Sequence, residues 1–105
     1  MYFLGVDGGQ TGTRAALVSA DGQVVDIMEA EGLLHILALS GSERITTVLT
    51  KIKNKFSNSR YHPCAVFLSL TGVEARTPSQ AYAFKIAARL WPDTKLAVES
   101  DGLAA

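Results

Sequence analysis

Residues 3–13 read FLGVDGGQTGT: a short apolar run, one carboxylate at Asp7, the pair Gly8-Gly9, and two threonines on either side of Gly12. A run this short and apolar predicts a buried strand over Tyr2 to Val6, ended by the glycine pair. The next segment decides the topology. Thr13 to Ala20 and Gln23 to Ala30 are two more strand-like runs, joined by Asp21-Gly22, a dipeptide suited to a hairpin turn with positive φ. The first glycine loop therefore connects a strand to a strand. That sets it apart from the phosphate loops that lead from a strand into a helix. There is no GxxxxGK[ST], and Gly5, Gly8, Gly9 and Gly12 do not make GxGxxG.

Downstream the pattern alternates helix with strand. Ile45, Val48, Leu49, Ile52 and Phe56 fall on one face of a helix predicted from Ser42 to Phe56. Lys51, Lys53 and Lys55 crowd its C-terminal end, where the dipole favours cations, and Ser40 with Glu43 has capping-box spacing. Ser57 to His62 is a polar connection, and Ala65 to Leu70 is apolar on both faces, as a central strand is. Thr77-Pro78-Ser79-Gln80 supplies a cap, a first-turn proline and a glutamine, and Ala81, Phe84, Ala88 and Trp91 follow as an apolar stripe that Pro92 ends. Lys95 to Glu99 reads as a last strand, and Leu103 to Ala105 as the opening of a further helix. LLHILAL, residues 33–39, fits a packed loop, a short helix or a strand.

This order predicts an α/β fold: three antiparallel strands, then two parallel strands added by helical crossovers, in a mixed five-stranded sheet with helices on both faces. Functional loops gather at one end of such a sheet, beyond the strand termini at residues 7, 71 and 99–101. The chain stops without a cap or polar tail after Ala105, so it is expected to be part of a longer protein.

With 105 residues and 48% hydrophobic content the chain can close one core, which makes a single domain the expectation. Ten basic and ten acidic residues cancel, removing the broad electrostatic reason to expect nucleic acid or an anionic membrane as partner. Cys64 is the only cysteine, so an internal disulfide and a multi-thiolate metal site are excluded, and it reads as a small buried residue. No stretch approaches a membrane-spanning length or forms a cleaved leader, and the expected location is the cytoplasm.

Any ligand must then come from a local site. Consecutive glycines let a ligand approach the main chain, and their N–H groups can point at an anion such as a phosphate; Thr11 and Thr13 add hydroxyls. Asp7 would repel a phosphate, so a carboxylate beside a phosphate cradle implies a cation between them, most simply hydrated Mg²⁺, and hence a metal nucleotide. Alone, Asp-Gly-Gly is equally a tight turn. Asp101 adds weight: it follows a strand expected near the first, where a carboxylate can orient an attacking hydroxyl and accept its proton, although a helix N-cap is the other use of aspartate there. Arg14 alternates with Thr13 along its strand and is expected to point away from the ligand. Trp91 reads as core and His62 as a solvated loop residue.

VDGGQTGTRAALVSADGQVV resembles the first phosphate motif of the superfamily that unites sugar kinases, acetate kinase, actin and the heat-shock chaperone ATPases. SLTGVE and VESDGLAA resemble later strand ends of its BadF-type ATPase and N-acetylglucosamine kinase branch. The resemblance spans residues 1–105 as an N-terminal, ribonuclease-H-like (actin-like ATPase) lobe, the C-terminal adenosine-binding lobe being absent. It implies ATP and Mg²⁺ as cofactors, Asp7 as a ligand of metal-bound water, and Gly8, Gly9, Gln10 and Thr11 as the phosphate-contacting turn, with Thr13 a further contact. It also implies Asp101 as the base that holds a sugar hydroxyl and Gly72 as space beside the substrate. The branch carries an asparagine and an aromatic residue after the third strand, where this chain reads GLLHILAL; His35 is the polar residue available there. The activity implied is phosphoryl transfer from Mg-ATP to a sugar or amino sugar such as N-acetylglucosamine or glucosamine. The alternatives are a BadF-type ATPase activator of an iron-sulfur dehydratase or reductase, and a nucleotide-binding module without turnover. The partner implied is a small sugar, with no nucleic acid and no membrane; a homodimer is compatible with it.

Overall fold

The strands form in the predicted order. In the computed structural model, described over residues 1–33, 41–56, 62–71 and 78–100, they are β1 (Tyr2–Gly8), β2 (Thr13–Ser19), β3 (Val24–Ala30), β4 (Ala65–Leu70) and β5 (Lys95–Ser100). Helix α1 (Gly41–Lys55) precedes β4, and α2 (Pro78–Leu90) joins β4 to β5. The sheet order is β3-β2-β1-β4-β5, with β1–β2 and β2–β3 antiparallel and β1–β4 and β4–β5 parallel. β1 runs two residues past its predicted end because it is paired on both sides: Asp7 lies opposite Arg14 and Ser69, and Gly8 opposite Thr13 and Leu70. Two ladders outweigh the weak strand preference of glycine. At the β2–β3 hairpin Gly22 has φ +89°, as its sequence predicts.

Alternation along the strands sorts the sheet into two faces. Leu4, Val6, Ala15, Leu17, Val66, Leu68, Leu70 and Val98 form one buried cluster with Ile45, Val48, Leu49, Ile52 and Phe56 around α1, the residues that the helical spacing selects. Both crossovers proceed in the same direction across the sheet, so right-handed connections put α1 and α2 side by side on this face, where they touch. The opposite face carries Phe3 and Phe67, 39% and 40% exposed. The sequence reading covers both faces with helices; the third helix, read as opening at Leu103, lies outside the described residues, as do Ser40 and Thr77.

Two expectations are corrected. The buried face of α2 is Ser79, Ala83, Ile86 and Ala87, continued by Trp91, whereas Ala81 and Phe84 are exposed. Both sets have helical spacing; the small Ala83 and Ala87 let the helix approach the sheet, while Phe84 lies out beside edge strand β5 in a groove of about 750 Å³ with Leu96 and Val98. Gln80 Nε2 donates to the Val98 carbonyl at 2.7 Å and ties this helix to that strand. Cys64 is exposed, because it precedes β4 and it is Pro63 that turns inward. No helix among the described residues is long and apolar enough to cross a membrane.

Candidate functional site

Gly8, Leu70 and Ser100 stand in register across β1, β4 and β5, so the carboxyl ends of three parallel strands finish level, as expected. With strands about 4.8 Å apart, the backbone at Ser100 is about 10 Å from that at Gly8. Asp101 and Gly72, like His35, lie outside the described residues.

The loop between β1 and β2 is closed by its own backbone: Gly9 N–H donates to the Gly12 carbonyl at 2.9 Å. The Gly9 amide is thus engaged within the turn, and Gln10, Thr11 and Gly12 form the exposed tip. Residues 31–33 brace the turn from below. Leu33 N–H donates to the Gly9 carbonyl at 2.8 Å, and the Thr13 hydroxyl to the Glu31 carbonyl at 2.8 Å. Arg44 holds the Gly32 carbonyl at 3.1 Å, and Lys51 grips the Glu31 carboxylate at 2.8 Å. The hydrogen bond from this ammonium holds the Glu31 carboxyl below its ordinary range. Two glycines are fixed by close approach. A Cβ on Gly32 would collide with the Gln10 carbonyl, and one on Gly8 with the Leu33 side chain.

The side chains flanking the turn therefore divide by face. Thr13 is buried, 3% exposed, and its hydroxyl is engaged, so its role in the structure is to hold the turn to residue 31. Asp7 and Arg14 are exposed cross-strand partners on the other face, and Glu29 pairs with Arg14 from β3. Together with Gly9, Thr11, Gly12, Thr13 and Ala30 these three line a cleft of about 480 Å³. Arg14 Nη2 lies 3.2 Å from Glu29 Oε1 with the two side chains 70% and 72% exposed, and an ion pair so open to water contributes at most about 1 kcal/mol. The expectation that Arg14 points away from the site is corrected: it does oppose Thr13, but Thr13 is the residue facing inward. Glu29 and the brace at residues 31–33 were not picked out by sequence reasoning. The matching apolar phases of Leu4, Val6, Ala15 and Leu17 were the signal that could have assigned the faces.

Chemically the cleft offers one free carboxylate, one weakly held guanidinium, a threonine hydroxyl and a bare main-chain tip. That set suits an anion that carries a cation, with Asp7 toward the cation and the tip and Arg14 toward the anion. Among the described residues no three His, Cys, Asp or Glu side chains gather as a metal centre.

No protein-family model matches the sequence, and no curated protein matches it. Solved structures do. A candidate N-acetylglucosamine kinase from Porphyromonas gingivalis superposes with TM-score 0.71 at 17% identity, over 94% of this chain and 34% of its own. A candidate sugar kinase from Cytophaga hutchinsonii does so with TM-score 0.66 at 14% identity, over 96% and 36%. The LC11 ribonuclease H1, solved with an RNA/DNA hybrid, matches with TM-score 0.54 at 11% identity, over 100% and 89%. The chain has the ribonuclease-H-like fold that sugar-kinase structures share, and it spans about a third of their length.

Proposed function

We propose that this chain is the N-terminal lobe of a cytoplasmic ATP-dependent phosphotransferase that phosphorylates a hydroxyl of a sugar or amino sugar, N-acetylglucosamine or glucosamine being the leading acceptors. The observation that carries this reading is the pairing of Asp7 with Arg14 at the mouth of a glycine turn, opposite charges on one face of one cleft. A cleft for a neutral ligand needs neither, and a cleft for a simple anion would be weakened by Asp7. The fold shared with candidate sugar kinases supports the same reading and the choice of a sugar as acceptor.

In this reading Asp7 would hold Mg²⁺, and the exposed tip, Gln10 and Thr11 with the main chain, would meet the phosphates. Gly9 contributes clearance, since its N–H already closes the turn. The metal, when bound with its nucleotide, offsets phosphate charge. Asp101, which follows Ser100 at the level of Gly8, orients the acceptor hydroxyl and takes its proton, and Gly72 leaves room beside it. The second wall of the cleft, with the adenosine site, belongs to the longer protein. The test is ADP release from Mg-ATP by the protein expressed from its complete reading frame, with a panel of hexoses, N-acetylated amino sugars and glucosamine. Release that requires one sugar is expected. Release indifferent to every sugar would overturn the kinase reading in favour of an ATPase.

A further inference from the structure

We propose that Arg14 is the cation that receives the anionic end of the ligand, and that Glu29 is its built-in competitor and sets how tightly that ligand is held. The proposal rests on the nucleotide reading of the cleft and adds a residue pair to it. Three observations carry it. Arg14 is the one cation among the described residues that line the cleft, where Asp7 and Glu29 are both negative. Without it the lining would repel any anion not fully neutralised by its metal. It also stands between the two carboxylates in cross-strand register, Asp7 on β1 and Glu29 on β3, so a metal taken by Asp7 leaves Glu29 as the remaining rival. Finally, its hold on Glu29 runs from Nη2 to a single oxygen at 3.2 Å with both side chains open to water.

A guanidinium carries five N–H donors in a planar fork, and a phosphate can take two of them at once. An incoming phosphate therefore displaces the one-point contact with Glu29, and the binding free energy is reduced by whatever that contact was worth. The position is specific: Thr13, one residue earlier, cannot exchange partners in this way because it is buried and donates to the Glu31 carbonyl.

The test is calorimetric titration of the protein from its complete reading frame with Mg-ADP, for wild type, Arg14→Ala, Glu29→Gln and the double variant. Arg14→Gln serves if the alanine variant shifts the thermal midpoint. Arg14→Ala is expected to weaken binding about tenfold or more, the scale of a lost charge-assisted hydrogen bond. Glu29→Gln is expected to tighten it about threefold, as the removal of a weak exposed ion pair would. In the Arg14→Ala background the Glu29→Gln gain should vanish. Unchanged affinity in Arg14→Ala overturns the proposal, and so does a Glu29→Gln gain that persists without Arg14, since Glu29 would then act through its general field. If wild type binds no Mg-ADP, the nucleotide reading fails by itself. The same four proteins titrated with pyrophosphate then decide the proposal: binding that depends on Arg14 sustains it, and binding that does not, or none, overturns it.

Discussion

Two turns of this chain are spelled with aspartate and glycine, and they are built in opposite ways. At Asp21-Gly22 the bonds of the two turn residues are local, although the neighbouring Ala20 N–H reaches the Met1 carbonyl at 3.0 Å. The Asp21 carboxylate accepts a hydrogen bond from the Ser19 hydroxyl, Gly22 takes φ +89°, and the backbone closes from Gly22 N–H to the Ser19 carbonyl and from Ser19 N–H to that of Gln23. At Asp7-Gly8-Gly9 the aspartate belongs to a strand, in cross-strand register with Arg14. Gly8 is needed for clearance against Leu33 and Leu70 and keeps ordinary strand pairing. The bonds that fix this turn are mostly long-range, from Leu33, Thr71 and, through Thr13, to residue 31. A carboxylate engaged inside its own turn is architecture; one that the turn leaves open at a strand end is available for chemistry.

The contrast breaks most visibly at the two aspartates. Asp7→Asn should lower turnover on the order of a hundredfold, the scale for removing one charge-stabilising group from a reaction centre, and should shift the Mg²⁺ titration to higher concentration. Because Asp7 is exposed, its unfolding free energy should hardly change. Asp21→Asn should leave turnover and metal dependence alone. Equal kinetics for both variants would erase the distinction.

The glycines sharpen it next. Gly32→Ala forces a Cβ onto the Gln10 carbonyl, backbone against backbone, and should cost about 3 kcal/mol, the upper end of overpacking penalties, because neither side can swing away. Gly22→Ala meets open space but must keep a positive φ, which costs about 1–2 kcal/mol. Urea unfolding of the two variants checks the order. Gly32→Ala should also weaken nucleotide binding, since it moves the tip of the cleft, and Gly22→Ala should not. A larger loss for Gly22→Ala would show that the brace at residues 31–33 yields more than its hydrogen bonds imply.

The sheet was legible because each strand announces itself by an apolar period and each connection by its turn residues; the order of helices and strands then leaves few topologies. At Asp7 what was legible was a carboxylate near the end of the first strand, before a glycine loop that leads into a second strand. Arg14 was misread because alternation relates two neighbours but does not say which of them faces the helices. Phe3 and Phe67 on the open face blurred the phases of Leu4, Val6 and Leu68 that would have settled it. The rotation of α2 was missed for the same reason, since Phe84 outweighs Ala83 and Ala87 in any apolar count. The brace at residues 31–33 left little trace, for it works largely through main-chain carbonyls and a side-chain hydroxyl, and main-chain bonding is common to every residue type.

The smallest expected effect is on acid stability. The Ser19 hydroxyl, followed by the Gln23 backbone, holds the Asp21 carboxyl below its ordinary 3.8, and the Lys51 ammonium holds the Glu31 carboxyl below its ordinary 4.5. A carboxyl depressed in the folded chain stabilises it wherever the unfolded chain is already ionised. Each contribution is therefore complete above about pH 5 and fades as pH falls through the folded values. Solvent screens both groups, so each increment is small. Asp21→Asn and Lys51→Met should each lower the unfolding midpoint slightly at pH 7, and the deficit should shrink as pH falls through the folded values and the carboxyls become protonated. The two differ in reach. Lys51→Met loosens residue 31, which holds Thr13, and should also relax the glycine turn, measurable as faster amide exchange at Gly9 and Leu33; Asp21→Asn should leave those amides as they were. A Lys51→Met deficit that does not shrink as pH falls would assign its cost to the packed lysine stem instead of the ion pair, and the brace would then rest on its main-chain bonds and on Thr13 and Arg44.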